Sequence, residues 1–144
     1  MFAAIAAVTA GPTLAAQWLS VWRIVDNTDE HTYEVLLDEA SISTSSAQPN
    51  TRTATVKYVR TAPHSQGKPA ERVAYSITVK SFQCTTRRIR LDHSEVHFPD
   101  GTLQYVDPAK DKAKWHAPEN PAARQILNTV CAAKNPKSEE APSR

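Results

Sequence analysis

From residue 18 onward the apolar side chains recur mainly at every second position, the period of strands that bury one face. Residues 18–25 form the first predicted strand, with Trp18, Trp22 and Ile24 on one face and Leu19, Val21 and Val25 on the other. A turn-forming run, Asp26-Asn27-Thr28-Asp29, separates it from a second strand over 32–37, where Tyr33, Val35 and Leu37 share a face. Residues 43–50 read as a polar loop. The third strand, 53–60, sets Ala54, Val56 and Tyr58 inward against Thr53, Thr55 and Lys57 outward, and a loop over 61–70 holds Pro63, Gly67 and Pro69.

The fourth strand, 72–84, is the longest. Val73, Tyr75, Ile77 and Val79 share one face, whereas Phe82 and Cys84 have the opposite parity. The fifth, 87–98, changes parity in the same way, from Ile89 and Leu91 to Val96 and Phe98. Either a bulge interrupts the alternation or the far end of the sheet is covered on its other face. Pro99-Asp100-Gly101 predicts a tight hairpin, with proline presetting the first turn angle and glycine taking the left-handed position. It leads to a sixth strand over 102–106.

A charged connection, 107–119, carries Trp115 and precedes the one predicted helix. Asn120 is its N-cap and Pro121 its first residue. Ala123, Ile126, Leu127, Val130 and Cys131 form one apolar stripe, and Asn135 and Pro136 end the helix. Strands followed by a single helix describe an α+β domain: a six-stranded antiparallel sheet with a C-terminal helix packed on it.

The opening stretch, MFAAIAAVTAGPTLAAQ, is uncharged and apolar and ends in small residues. It reads as a secretory signal peptide covering 1–16, cleaved after Ala15 or Ala16, although no basic residue precedes its apolar core. It is shorter than the roughly 20 apolar residues that span a bilayer, so no transmembrane segment is expected. The total of 144 residues favours one domain, here 17–135, followed by a polar tail, 136–144, expected to be disordered. In an exported chain the two cysteines read as one disulfide, Cys84–Cys131. It would clamp the helix to the end of the fourth strand and stabilise the fold by about 4 kcal/mol in the loop-entropy account. No cysteine near the cleavage point offers a lipid-anchor site, which points to a periplasmic or secreted protein.

Net charge is only +2, but it is unevenly placed. Six acids and no Lys or Arg lie between Asp26 and Glu39, whereas nine basic residues and one acid, Glu71, lie between Arg52 and Arg90. Arg87, Arg88 and Arg90 are the densest cluster and a candidate patch for an anionic partner such as a sulfated glycan or an acidic protein surface. The plainer reading pairs them across strands with the acidic block. His93 and His97 would suggest a metal site on a helix. On a strand, four residues span roughly 13 Å, too far for two ligands of one zinc at about 2 Å. With three glycines in all, a phosphate-cradling loop is excluded. Both cysteines are used by the disulfide, and no residue spacing marks a catalytic or cofactor site. Nucleic-acid binding would need aromatics beside basic residues on an open sheet face. Tyr58 and Tyr75 are the candidates there, and both read as buried by parity.

With these residues laid out, the chain resembles the surface-adhesin E-like family of bacterial extracytoplasmic domains over about residues 18–131. The resemblance is carried by Asp38-x-x-Ser41-Ile42, Val56-Lys57-Tyr58-Val59, Cys84-x-x-Arg87 after a long strand, Asp100-Gly101, Trp115, the prolines from Pro118 to Pro121, and Leu127-x-x-x-Cys131. It implies a six-stranded antiparallel sheet with a C-terminal helix tied to it by a disulfide. It also implies a non-catalytic binding module of the bacterial envelope, contacting a protein or an anionic glycan surface. A periplasmic assembly accessory protein is the alternative, and a small hydrolase with an unmarked carboxylate site a third. The family motifs mark no ligand contact, so no binding residue is carried over.

Overall fold

The computed structural model describes residues 15–26, 31–45, 47–48, 50–61, 74–134 and 136–139. The expected signal segment through residue 14, the 27–30 turn, residues 62–73 and the tail beyond 139 lie outside the described residues. Six antiparallel strands lie side by side in the order β1 (Trp18–Asp26), β2 (His31–Asp38), β4 (Thr51–Thr61), β5 (Tyr75–Gln83), β6 (Arg88–His97) and β7 (Leu103–Val106). The helix α1 is Pro121–Ala132. All six expected strands and the helix are present.

Directly opposed residues share a face of the sheet, so the register sorts every strand. Leu37 faces Val56, Val56 faces Thr78, and Phe82 faces Ile89. On this face Val35, Leu37, Ala54, Val56, Phe82 and Ile89 are buried, and the apolar stripe of α1, Ile126, Leu127 and Val130, is buried against them. Each fully buried side chain of this size contributes about 2 kcal/mol. The opposite face carries Lys57, Val59, Tyr75, Ile77 and Val79, none of them fully buried.

The two parity changes have different causes. In β5 the alternation is unbroken. Tyr75, Ile77 and Val79 point to the open face, and the apolar positions switch to Phe82 where α1 covers the other face. In β6 the cause is a bulge: Val79 faces His93 but Lys80 faces Leu91, so Asp92 is the extra residue. The bulge returns Ser94 and Val96 to the same face as Ile89 and Leu91.

Two short strands were not legible in the sequence. The polar loop expected over 43–50 contains β3 (Ser43–Ser45), and the tail expected to be disordered from residue 136 contains β8 (Lys137–Glu139), parallel to β3. Main-chain pairing forms both: Ser43 and Thr44 face Thr53 and Arg52 of β4, and Lys137 N–H donates to the Ile42 carbonyl at 2.9 Å. Strands β2 and β3 both pair with β4, and the chain between them is bowed out as a 3-10 turn, Glu39–Ser41. Asp38 and Ser41 fasten that turn. The Asp38 carboxylate accepts from the N–H groups of Gln17 (2.9 Å) and Ala40 (3.1 Å). The Ser41 hydroxyl accepts from Thr55 N–H at 2.8 Å and donates to the Asp38 carbonyl at 2.6 Å.

The helix starts as the sequence dictates, with Asn120 accepting from Ala123 N–H at 2.8 Å and Pro121 in the first turn. Its end differs from the expectation of a stop at Asn135 and Pro136. Helical structure finishes at Ala132, and Arg52 of β4 caps it, donating through Nη1 to the carbonyls of Val130 (2.7 Å) and Ala133 (2.8 Å). Both carbonyls stand at the helix end, where i+4 donors run out; that of Val130 also takes a longer bond from the Ala133 N–H at 3.4 Å. The disulfide joins Cys131 on α1 to Cys84 just after β5, with Cα atoms 5.6 Å apart, inside the usual range.

Candidate binding surface

One sheet face is spent on the core, and the other holds a continuous row of side chains running across the strands. Trp18 enters from β1, Lys57 from β4, Tyr75 from β5, His93, Glu95 and His97 from β6, and Tyr105 from β7. Their common side follows from register: Lys57 faces Ile77, Ile77 faces Glu95, Tyr75 faces His97, and Glu95 faces Tyr105. The Asp92 bulge sets His93, Glu95 and His97 on this side.

The row is held by ring contacts and charge. Lys57 Nζ lies 5.5 Å from the Trp18 ring centre and 4.2 Å from that of Tyr75. Tyr75 stacks on His97 with centres 4.3 Å apart and planes inclined by 17°. Each cation–π contact of this partly exposed kind is worth about 0.5–1 kcal/mol. His97 Nε2 meets Glu95 Oε1 at 2.9 Å, His93 Nε2 stands 3.9 Å from Oε2, and the His93 ring lies 5.5 Å from that of Tyr105. Trp18 is 37% exposed and Tyr105 67%. Tyr58 and Tyr75, both expected inside, lie on opposite faces and both are half-buried. Parity correctly separated Lys57 from Tyr58. It could not show that Tyr75 belongs to the face left open.

The three arginines of the candidate anionic patch point to different tasks. Arg87 ends the turn between β5 and β6 with a left-handed backbone, φ 59°, a conformation that costs a non-glycine residue about 1 kcal/mol. Its guanidinium donates to Asn128 Oδ1 of α1. Arg88 is exposed. Arg90 Nε pairs with Asp92 Oδ1 at 2.7 Å, and its guanidinium lies 4.7 Å from the Trp115 ring centre. Asp92 also accepts from the buried Ser81 hydroxyl. The cross-strand pairing with the acidic block is therefore corrected: β2 is separated from β6 by β4 and β5, and Arg90 finds its acid in the bulge of its own strand.

An antiparallel sheet with one face closed by a disulfide-tethered helix and the other presenting an aromatic row defines an α+β sheet-and-helix domain. The chain belongs to the family described as surface-adhesin protein E, whose family model matches residues 22–132. Its fold is similar to that of Haemophilus influenzae protein E, in crystal form II, with a TM-score of 0.51 and 14% sequence identity, covering 86% of this chain and 94% of that one. No curated protein matches the sequence. The family is one of surface adhesins rather than of enzymes, and among the described residues no helix is long and apolar enough to cross a membrane.

Proposed function

We propose that this chain is a non-catalytic, extracytoplasmic binding module of a bacterial envelope that docks a protein partner on its open sheet face. The observation behind this reading is the row from Trp18 to Tyr105, in which aromatic rings, Lys57, Glu95 and two histidines share one face. Tyr and Trp dominate the energetics of protein interfaces because they bring large contact area with little conformational entropy to lose. Family membership supports adhesion as the role, and the uncharged apolar start with a single disulfide supports export, with a periplasmic or secreted location. The arginine cluster offers a second, weaker contact for an anionic glycan, through the exposed Arg88.

The test is adhesion itself. Beads coated with the purified protein should be retained on epithelial monolayers or on deposited extracellular matrix above the level of albumin-coated beads. Retention equal to albumin on both surfaces would count against adhesion and favour a partner within the envelope.

A further inference from the structure

The basic side chains that other residues hold in place share a feature. Arg52 donates to main-chain carbonyls, Arg87 to Asn128 Oδ1, Arg90 to Asp92, Lys112 to Glu119, and Lys80 to the Tyr58 hydroxyl at 2.6 Å. Each has an oxygen acceptor. Lys57 differs. Among the described residues its ammonium meets only the rings of Trp18 and Tyr75, 5.5 and 4.2 Å from their centres. An ammonium carries three N–H donors. Ring faces attract its charge through their quadrupole and supply no oxygen.

The acids closest to Lys57 in register are engaged elsewhere. Asp38 accepts from the N–H groups of Gln17 and Ala40, and Glu34 stands opposite Arg23. Glu95, two strands away across Ile77, is held by His97 at 2.9 Å. The residues directly opposite Lys57 on the neighbouring strands, Leu36 and Ile77, are apolar. Lys57 is half-buried and Trp18 is 37% exposed, so the ammonium is fixed near the surface of the open face. An apolar border of this kind strengthens any ion pair formed within it.

We infer that Lys57 receives the carboxylate of an Asp or Glu side chain of the protein partner. The apolar neighbours of that acid then cover Leu36, Ile77 and the Trp18 ring. Charge complementarity selects this occupant: the lysine is a cation without a counter-charge, whereas the acids around it already have partners. The two rings hold the ammonium in advance, so less side-chain entropy is lost when the carboxylate arrives, and the new contact is a charge-assisted hydrogen bond. The inference rests on the reading of the open face as the docking surface, and its test uses no cells, so the two can fail separately.

The peptide acetyl-Leu-Glu-Leu-amide is titrated into the nitrogen-labelled protein and followed by NMR, up to about 10 mM, since one short segment binds in the millimolar range. The Trp18 indole N–H signal should shift and saturate, while that of Trp115, beside Arg90, should stay in place. The glutamine counterpart, acetyl-Leu-Gln-Leu-amide, should bind about tenfold more weakly, the worth of one charge-assisted hydrogen bond. Lys57→Met keeps an apolar stem against both rings. It should retain its melting temperature and lose the preference for the acidic peptide, which Lys57→Arg should recover. Sodium sulfate at the same concentration should move the Trp18 signal less than the acidic peptide does. A Trp18 signal that does not move at the highest concentration overturns the inference. So does an equal response to the glutamine peptide or to sulfate, a preference that survives Lys57→Met, or a shift of Trp115 in place of Trp18. A saturating Trp18 shift from a protein whose beads are retained no better than albumin would count against adhesion and support the Lys57 contact.

Discussion

At the scale of single residues, the decisive side chains are those that connect elements far apart in sequence. Arg52 stands on a strand and caps a helix through two carbonyls. Charged hydrogen bonds are worth about 1.5–3 kcal/mol each when one partner is removed from a partly buried site. Arg52→Ala should therefore lower the stability measured by urea unfolding by roughly 2–4 kcal/mol, more than any surface arginine. Arg88→Glu, on an exposed side chain, should leave it within about 0.5 kcal/mol of the unaltered protein. Asp100 offers a pH test. The Thr102 hydroxyl, then the Thr102 N–H, donate to its carboxylate and hold its carboxyl below the usual range. A depressed carboxyl contributes stability that is complete above its unfolded value and is lost as pH falls through the folded one. The gap in melting temperature between the protein and Asp100→Asn should hold steady around neutral pH and close in acid, below about pH 4. None of the three roles is equally visible in sequence. Asp100 could be read, because its turn is local and Gly101 supplies the positive φ of 87° that the hairpin requires. Arg52 could not, since its partners lie 78 and 81 residues away and nothing in a basic residue on a strand signals a helix terminus.

At the scale of elements, the helix depends on the sheet. Twelve residues are too few to hold a helix in water by propensity alone, and α1 is kept by three buried side chains, the Arg52 cap and the Cys84–Cys131 link. The link closes a separation of 47 residues, which the loop-entropy account values at about 4 kcal/mol. Cys131→Ser should loosen the helix before the strands. Amide exchange should lose protection over α1 and keep it over β5, with equal loss in both contradicting a separable helix. The long elements were legible because their burial period spans many residues. Strands β3 and β8 were not, because three residues give no period, and their existence rests on main-chain partners that the side chains do not specify. The parity changes show the same limit: identical sequence signals in β5 and β6 arise from a covering helix in one and a bulge at Asp92 in the other.

For the whole molecule, the sheet divides into a face that folds the protein and an open face on which we propose that the partner docks. Alternation assigned Lys57 outward and Val56 inward, yet it could not say that the outward side stays open, since that depends on which face a single distant helix occupies. If the division is right, changes on the two sides have different signatures. Phe82→Ala, at 0% exposure, should cost about 3–5 kcal/mol and lower adhesion only through loss of folded protein. The most direct measurement compares bead retention on epithelial monolayers for two double variants. One alters the open face, Trp18→Ser with His93→Ser, and the other the outer surface of the helix, Arg124→Ser with Gln125→Ser. The open-face variant should lose most of its retention with its melting temperature little changed, and the helix variant should be retained like the unaltered protein. Retention that survives the open-face changes, or that is lost equally when the helix surface is altered, would contradict the account.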